Sequence, residues 1–242
     1  MKTTLIATLG ALASLTAAVH ANPGVVYNDA TGDNYPNSGT GNGTLDLVRM
    51  EVSHTATDLV FALTVNGNVG STDWGKFMIG ISNGGAGNTS VNGNGWGRPI
   101  NMGSPTGGMT NWIGSWVDSG GGAENYSWAP SSWGRVGATY NSNFGSFAIA
   151  SGAQSTITYT VSMASLGLAE GNTFFFDAYS SGGNNDSAVD ALANPNFAIS
   201  SWGGPYTSSS ATGIYSYTIP APGAIALLGV AGLALRGRAR KA

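Results

Sequence analysis

In several stretches between residues 22 and 218 apolar side chains recur at every second position, and no long helical period appears. Period two with turn residues between runs is the signature of β-strands. Leu59, Phe61, Leu63 and Val65 alternate with Val60, Ala62 and Thr64, which makes a strand apolar on nearly both faces. Upstream, Leu45, Leu47, Arg49, Glu51 and Ser53 fall on one face and Asp46, Val48, Met50 and Val52 on the other, with Ser53–Asp58 as a polar hairpin loop. Further strands are predicted at Lys76–Ser82, Thr156–Met163, Thr173–Ser180 and Gly213–Ile219. Met163–Leu168 offers at most one helical turn, and Asn83–Ser155 reads as long loops with weaker strands. Short strands with Gly-rich turns predict an all-β fold, an antiparallel β-sandwich of jelly-roll or Ig-like type, as one domain over 22–218.

The 38 Gly residues could signal disorder, but 7 Trp, 9 Tyr and 8 Phe argue for a packed core. Cysteine is absent, so disulfides contribute nothing to stability. The formal net charge of −3 conceals an asymmetry. Between residues 22 and 219 only Arg49, Lys76, Arg98 and Arg135 stand against all twelve acids, a net charge of −8. Phosphate backbones require clustered Lys and Arg, so nucleic acid is excluded as a partner.

Both ends carry export signals. Met1-Lys2, an apolar run from Leu5 to Val19 and the small residues of Val19-His20-Ala21 read as a secretory signal peptide over 1–21, cleaved between Ala21 and Asn22. The C-terminal segment, 219–242, carries Pro220-Ala221-Pro222, an uncharged run from Gly223 to Leu235, and a basic end with Arg236, Arg238, Arg240 and Lys241. Basic residues stay on the cytoplasmic side of a bilayer, which places the domain outside. At about 1.5 Å per residue the apolar helix spans roughly 20 Å, short of a ~30 Å hydrocarbon core, and suits a temporary membrane segment.

This tail resembles the PEP-CTERM sorting signal of Gram-negative surface proteins, with Pro220-Ala221-Pro222 in place of the family's Pro-Glu-Pro. The resemblance implies processing by an exosortase and delivery to the cell surface or extracellular matrix. A second resemblance spans about half the domain. Asn28–Asp33, Leu45–Val48, Asp58–Phe61, Ser165–Leu168 and Gly171–Asp177 follow one another as in DOMON-like and carbohydrate-binding module family 9-like β-sandwiches.

Three constellations bear on chemistry. His54, the one His of the domain, lies in the polar hairpin loop and reads as solvated. With no Cys and no second His, a thiol–imidazole pair and a His-rich zinc site are excluded. Asp118, Glu124 and Glu170 are the candidate acids for glycoside hydrolysis, yet Asp118 and Glu124 flank a Gly-rich loop poorly suited to fixed geometry. No catalytic residue is therefore assigned, and the chain is expected not to be an enzyme. Asp29 and Asp33, with Asp46 approaching, match the oxygen-rich flexible loops that take Ca²⁺. Asn184, Asn185, Asp186 and Asp190 form a second such cluster.

Trp96, Trp112, Trp116, Trp128, Trp133 and Trp202 lie among Gly, Ser and Asn, where they either plug the core or stack on sugar rings. Trp112 and Trp116 are an even number of residues apart, so a strand would face both the same way, and with Trp128 they form the candidate carbohydrate contact. The expectation is an exported, non-enzymatic structural or adhesive protein of the exopolysaccharide layer, or else a carbohydrate-binding module. Expected partners are an exosortase, transiently the membrane, and polysaccharide.

Overall fold

A computed structural model describes residues 24–35 and 40–221. The signal peptide, Asn22 and the tail from Pro222 onward lie outside the described residues. No helix among the described residues is long and apolar enough to cross a membrane.

The chain is all-β. Its strands are β1 (Val25–Asn28), β2 (Leu47–His54), β3 (Asp58–Val65), β4 (Lys76–Ser82), β5 (Ile100–Met102), β6 (Asn111–Trp116) and β7 (Gly122–Ala129). They continue as β8 (Ser132–Ala138), β9 (Ser146–Ala150), β10 (Ser155–Ser162), β11 (Thr173–Ser181), β12 (Asp190–Ala191), β13 (Tyr206–Ser208) and β14 (Tyr215–Thr218). One antiparallel sheet runs β1-β2-β3-β10-β9; the other runs β12-β11-β4-β6-β7-β8, with β14 also on β11. The inward faces of both sheets share one core, in which Phe61, Leu63, Tyr159, Ile79, Ile113 and Phe176 are fully buried.

The phase of β2 differs from simple alternation. A bulge between Leu47 and Arg49 lets Leu47 oppose Val65 while Arg49 opposes Thr64. An extra residue reverses the face of everything after it, so Leu47, Met50 and Val52 all enter the core. Ile219, which the sequence reading put in the tail, is fully buried. Its N–H donates to the Asn172 carbonyl, which ties it to the domain.

The middle of the chain is more regular than expected. β6 and β7 pair over six positions each, and β7 and β8 extend the sheet further. Glycines hid this alternation. On the outward face of this sheet Trp112, Gly114 and Trp116 of β6 stand opposite Tyr126, Glu124 and Gly122 of β7. The segments 83–110 and 182–214 fold back over that face, joined by parallel pairing of β13 with β5, where an antiparallel arrangement was expected. They enclose a second core around Met78, Ile100, Met109, Trp112, Tyr179 and Tyr206.

Candidate functional site

Two places concentrate functional chemistry. The first is acidic and lies where the loop after β1, the start of β2 and β12 meet. Carboxylate oxygens of Asp29, Asp33 and Asp190 lie within 4.8 Å of one another. Asp190 is wholly buried and accepts the N–H groups of Leu47 (2.7 Å) and Ala191 (2.8 Å). Asp29 accepts the Ala30 N–H with Oδ1, whereas its Oδ2 and both oxygens of Asp33 are buried without hydrogen-bond partners. Neither ion pair among the described residues reaches this cluster. Burial, then the charges of Asp190 and Asp33, push the Asp29 carboxyl up to about 10. Burial likewise raises Asp33 and holds Asp190 well above the carboxylate range.

Asp46 plays a different part from the one the sequence suggested. Its carboxylate accepts the Gly32 N–H with both oxygens (2.9 and 3.0 Å) and the Asn66 side-chain amide (2.9 Å). It clamps the loop that carries Asp29 and Asp33, and Asp190 supplies the third facing carboxylate. The two acidic clusters of the sequence thus contribute to one site, because β12 pairs on the edge of β11 beside that loop. Ca²⁺ takes oxygen ligands at about 2.3–2.6 Å, so oxygens across one ion lie about 4.6–5.2 Å apart, which this spacing fits.

The second place is a groove of about 320 Å³ lined by Lys76, Trp96, Arg98, Trp116, Asp118 and Ser119. Its aromatic floor follows from two glycines. A Cβ at Gly114 would collide with the Trp96 indole, and one at Gly122 with that of Trp116. Both rings lie across the outward face of the sheet and remain half-buried. The Trp96 Nε1–H donates to Glu124 (3.1 Å), which also accepts from Tyr126, Tyr140 and Arg135. Burial raises the Glu124 pKa, but these four hydrogen bonds outweigh it and hold the carboxyl below its usual range. Glu124 therefore lies on a strand, buried and saturated with donors, not in a mobile loop. Asp118 pairs with Lys76 at 3.1 Å.

The structure separates the three sequence-predicted Trp residues. Trp112 is fully buried and stacks on Tyr179 with ring centres 6.2 Å apart, so it offers no surface to a ligand. Trp116 lines the groove; Trp128 lines another of about 410 Å³ with Asn83 and Ser165, against Trp133 across the β7–β8 hairpin. Trp96 was missed as a partner of Trp116, since they meet only because the 83–110 segment folds back over β6. His54 differs too. It is buried at the end of β2 and shares a 2.8 Å hydrogen bond with the Tyr217 hydroxyl, and burial lowers its pKa against the opposing charge of Glu170.

No protein-family model matches this chain, and no curated protein matches it in sequence.

Proposed function

We propose that this chain is a non-catalytic exported protein of the cell surface or extracellular matrix, which contacts polysaccharide through the Trp96–Trp116 groove. The observation that carries the reading is the pair of half-exposed indoles set on strand glycines. Flat apolar faces beside Lys76, Asp118 and Ser119 suit the CH face and the hydroxyls of a sugar ring. The finer fold reading, a jelly-roll or Ig-like sandwich, belongs to the same proposal, as does a structural Ca²⁺ held by Asp29, Asp33 and Asp190. That ion reading is favoured by buried carboxylate oxygens that have neither a donor nor a cation.

The test is retention of the protein by polysaccharide from its host. Trp116→Ala should abolish retention and leave the thermal midpoint within a few degrees of wild type. Equal retention of both forms would remove the groove from the function. Export and sorting rest on the two ends of the sequence. Intact mass of protein from the host should match residues 22 to about 220, with or without an added group; a mass that includes Arg236–Ala242 would refute exosortase processing.

A further inference from the structure

Of the four basic side chains between residues 24 and 221, two line the Trp96–Trp116 groove and a third bonds a carboxylate behind it. Lys76 and Arg98 line it, and Arg135 reaches it through Glu124, the acceptor of the Trp96 indole N–H. In a domain where acids outnumber bases three to one, such a concentration sets the local potential against the overall charge. Lys76 and Arg135 are each paired with a carboxylate, Asp118 at 3.1 Å and Glu124 at 3.0 Å.

Arg98 is not. It is only 4% exposed, and its hydrogen bonds go to neutral oxygens. One terminal nitrogen donates to Ser181 Oγ and the Asp186 carbonyl (both 2.8 Å), the other to the Gly182 carbonyl (3.2 Å). Its Nε has no partner, and the guanidinium carbon lies 5.4 Å from the centre of the Trp96 ring. Burial brings its pKa down to about 10, against a smaller opposing effect of Asp186, which leaves it charged at neutral pH. A buried cation held only by neutral oxygens and an indole is costly unless a counter-charge approaches. Arg98 forms part of the groove wall, so an anion seated there acts on its charge from a distance, without a direct hydrogen bond.

We infer that the groove selects an anionic saccharide, a uronate-type residue whose ring lies on the indoles while its carboxylate faces Lys76 and Arg98. This rests on the proposed glycan contact and names its ligand class. Asp118 lines the same groove and opposes an anion in part, an effect that its pairing with Lys76 at 3.1 Å limits. Held by Lys76, it is an acceptor for sugar hydroxyls, while the ammonium, with three donors, has bonds only to Asp118 and the Trp74 carbonyl (3.2 Å). The ligand's charge is then met by Lys76, which already has a carboxylate partner, and by the charge of Arg98, which makes no ion pair and is offset only in part by Asp186.

Calorimetric titration of the mature chain distinguishes the two levels. The probes are a hexameric oligouronate and the same oligosaccharide with its carboxyls reduced to alcohols, each at about 50 and 500 mM NaCl. The oligouronate should bind at least tenfold more tightly at low salt, and that advantage should fall severalfold at high salt, where screening is strong. Lys76→Gln should erase most of the advantage, and Trp116→Ala should abolish binding of both sugars; thermal melts show that each variant is folded. Equal binding of the two sugars overturns the anionic selectivity and leaves the glycan contact standing. Oligouronate binding unaffected by Trp116→Ala places the anion elsewhere and overturns the inference. Binding of neither sugar by folded wild type removes the inference and the glycan contact together.

Discussion

Calcium should raise the melting temperature of this protein, and more so at alkaline pH. Asp29, Asp33 and Asp190 face one another with three buried oxygens that lack a donor. Without a cation such a cluster must hold protons, as the Asp29 pKa of about 10 expresses. The sign follows from proton counting. Between the unfolded carboxylate value near 4 and about 10, the folded chain binds a proton that the unfolded chain has released. Metal-free stability therefore falls as pH rises through that window. An ion that replaces the proton removes this penalty, so its effect grows with pH. With an affinity of about 10⁻⁴ M, typical of extracellular Ca²⁺ modules, 10 mM Ca²⁺ is a hundredfold excess and adds about 2.7 kcal/mol. At about 2–4 °C per kcal/mol for a domain of this size, the midpoint should rise by about 5–11 °C at pH 8 and by less at pH 5. Scanning calorimetry after chelator treatment is the assay. Asp33→Asn should stabilise the metal-free form at pH 8, by removing one uncompensated charge, and should abolish the calcium response. No Ca²⁺ shift in chelator-treated wild type at pH 8, or the same shift in Asp33→Asn, would refute the reasoning.

Trp112→Ala should cost about 3–5 kcal/mol, the range for truncating a buried aromatic, read as the loss of denaturant midpoint at unchanged slope. A loss below 1 kcal/mol would mean that the second core is not packed as described. Asp177 gives a separate pH signature. Wholly buried, it is pushed up to about 7 by desolvation, against hydrogen bonds from Ser208, Ala193 and Ala178. Its contribution to stability is full below about pH 4 and is lost as pH rises through 7, on the order of 4 kcal/mol at about 1.4 per unit. In Ca²⁺-saturated protein, Asp177→Asn should flatten the stability–pH curve between pH 4 and 7; an unchanged slope would refute this.

The sequence was most legible where a strand is a continuous apolar run, as in β3, β4 and β11, or alternates cleanly, as in β10. All four agree with the predicted strands to within a residue or two. It was least legible on β6 and β7. There the sheet is buried on both sides, by the first core beneath and by the 83–110 and 182–214 segments above, so polarity does not alternate. Gly122 reads as part of a Gly-rich loop, yet it and Gly114 are strand positions emptied of a side chain so that an indole can lie flat. Composition alone cannot separate those two uses of glycine. The same limit applies to Trp112 and Trp116, four residues apart on one face of one strand. One is sealed beneath Tyr179 and its neighbours, and the other opens onto the groove.

The acidic site shows what sequence spacing can and cannot carry. Asp29 and Asp33 were identifiable because four residues of a Gly-containing loop keep them close. Asp190 was picked out only as part of a separate cluster, because its approach to Asp29 and Asp33 depends on pairing at the edge of β11, and only the assembled sheet determines that. Asp46 is the instructive case. A buried carboxylate can satisfy itself with N–H donors or with a cation, and its three hydrogen bonds take the first course. Asp33, which the backbone N–H groups of Asp33 and Phe197 approach without a well-formed bond, is left to the second. Those bonds hold Gly32 beside Asp33 and so fix the loop on which the facing carboxylates depend. Asp46→Asn should therefore weaken the calcium response by loosening the loop, not by deleting a ligand, with the response reduced but present where Asp33→Asn eliminates it.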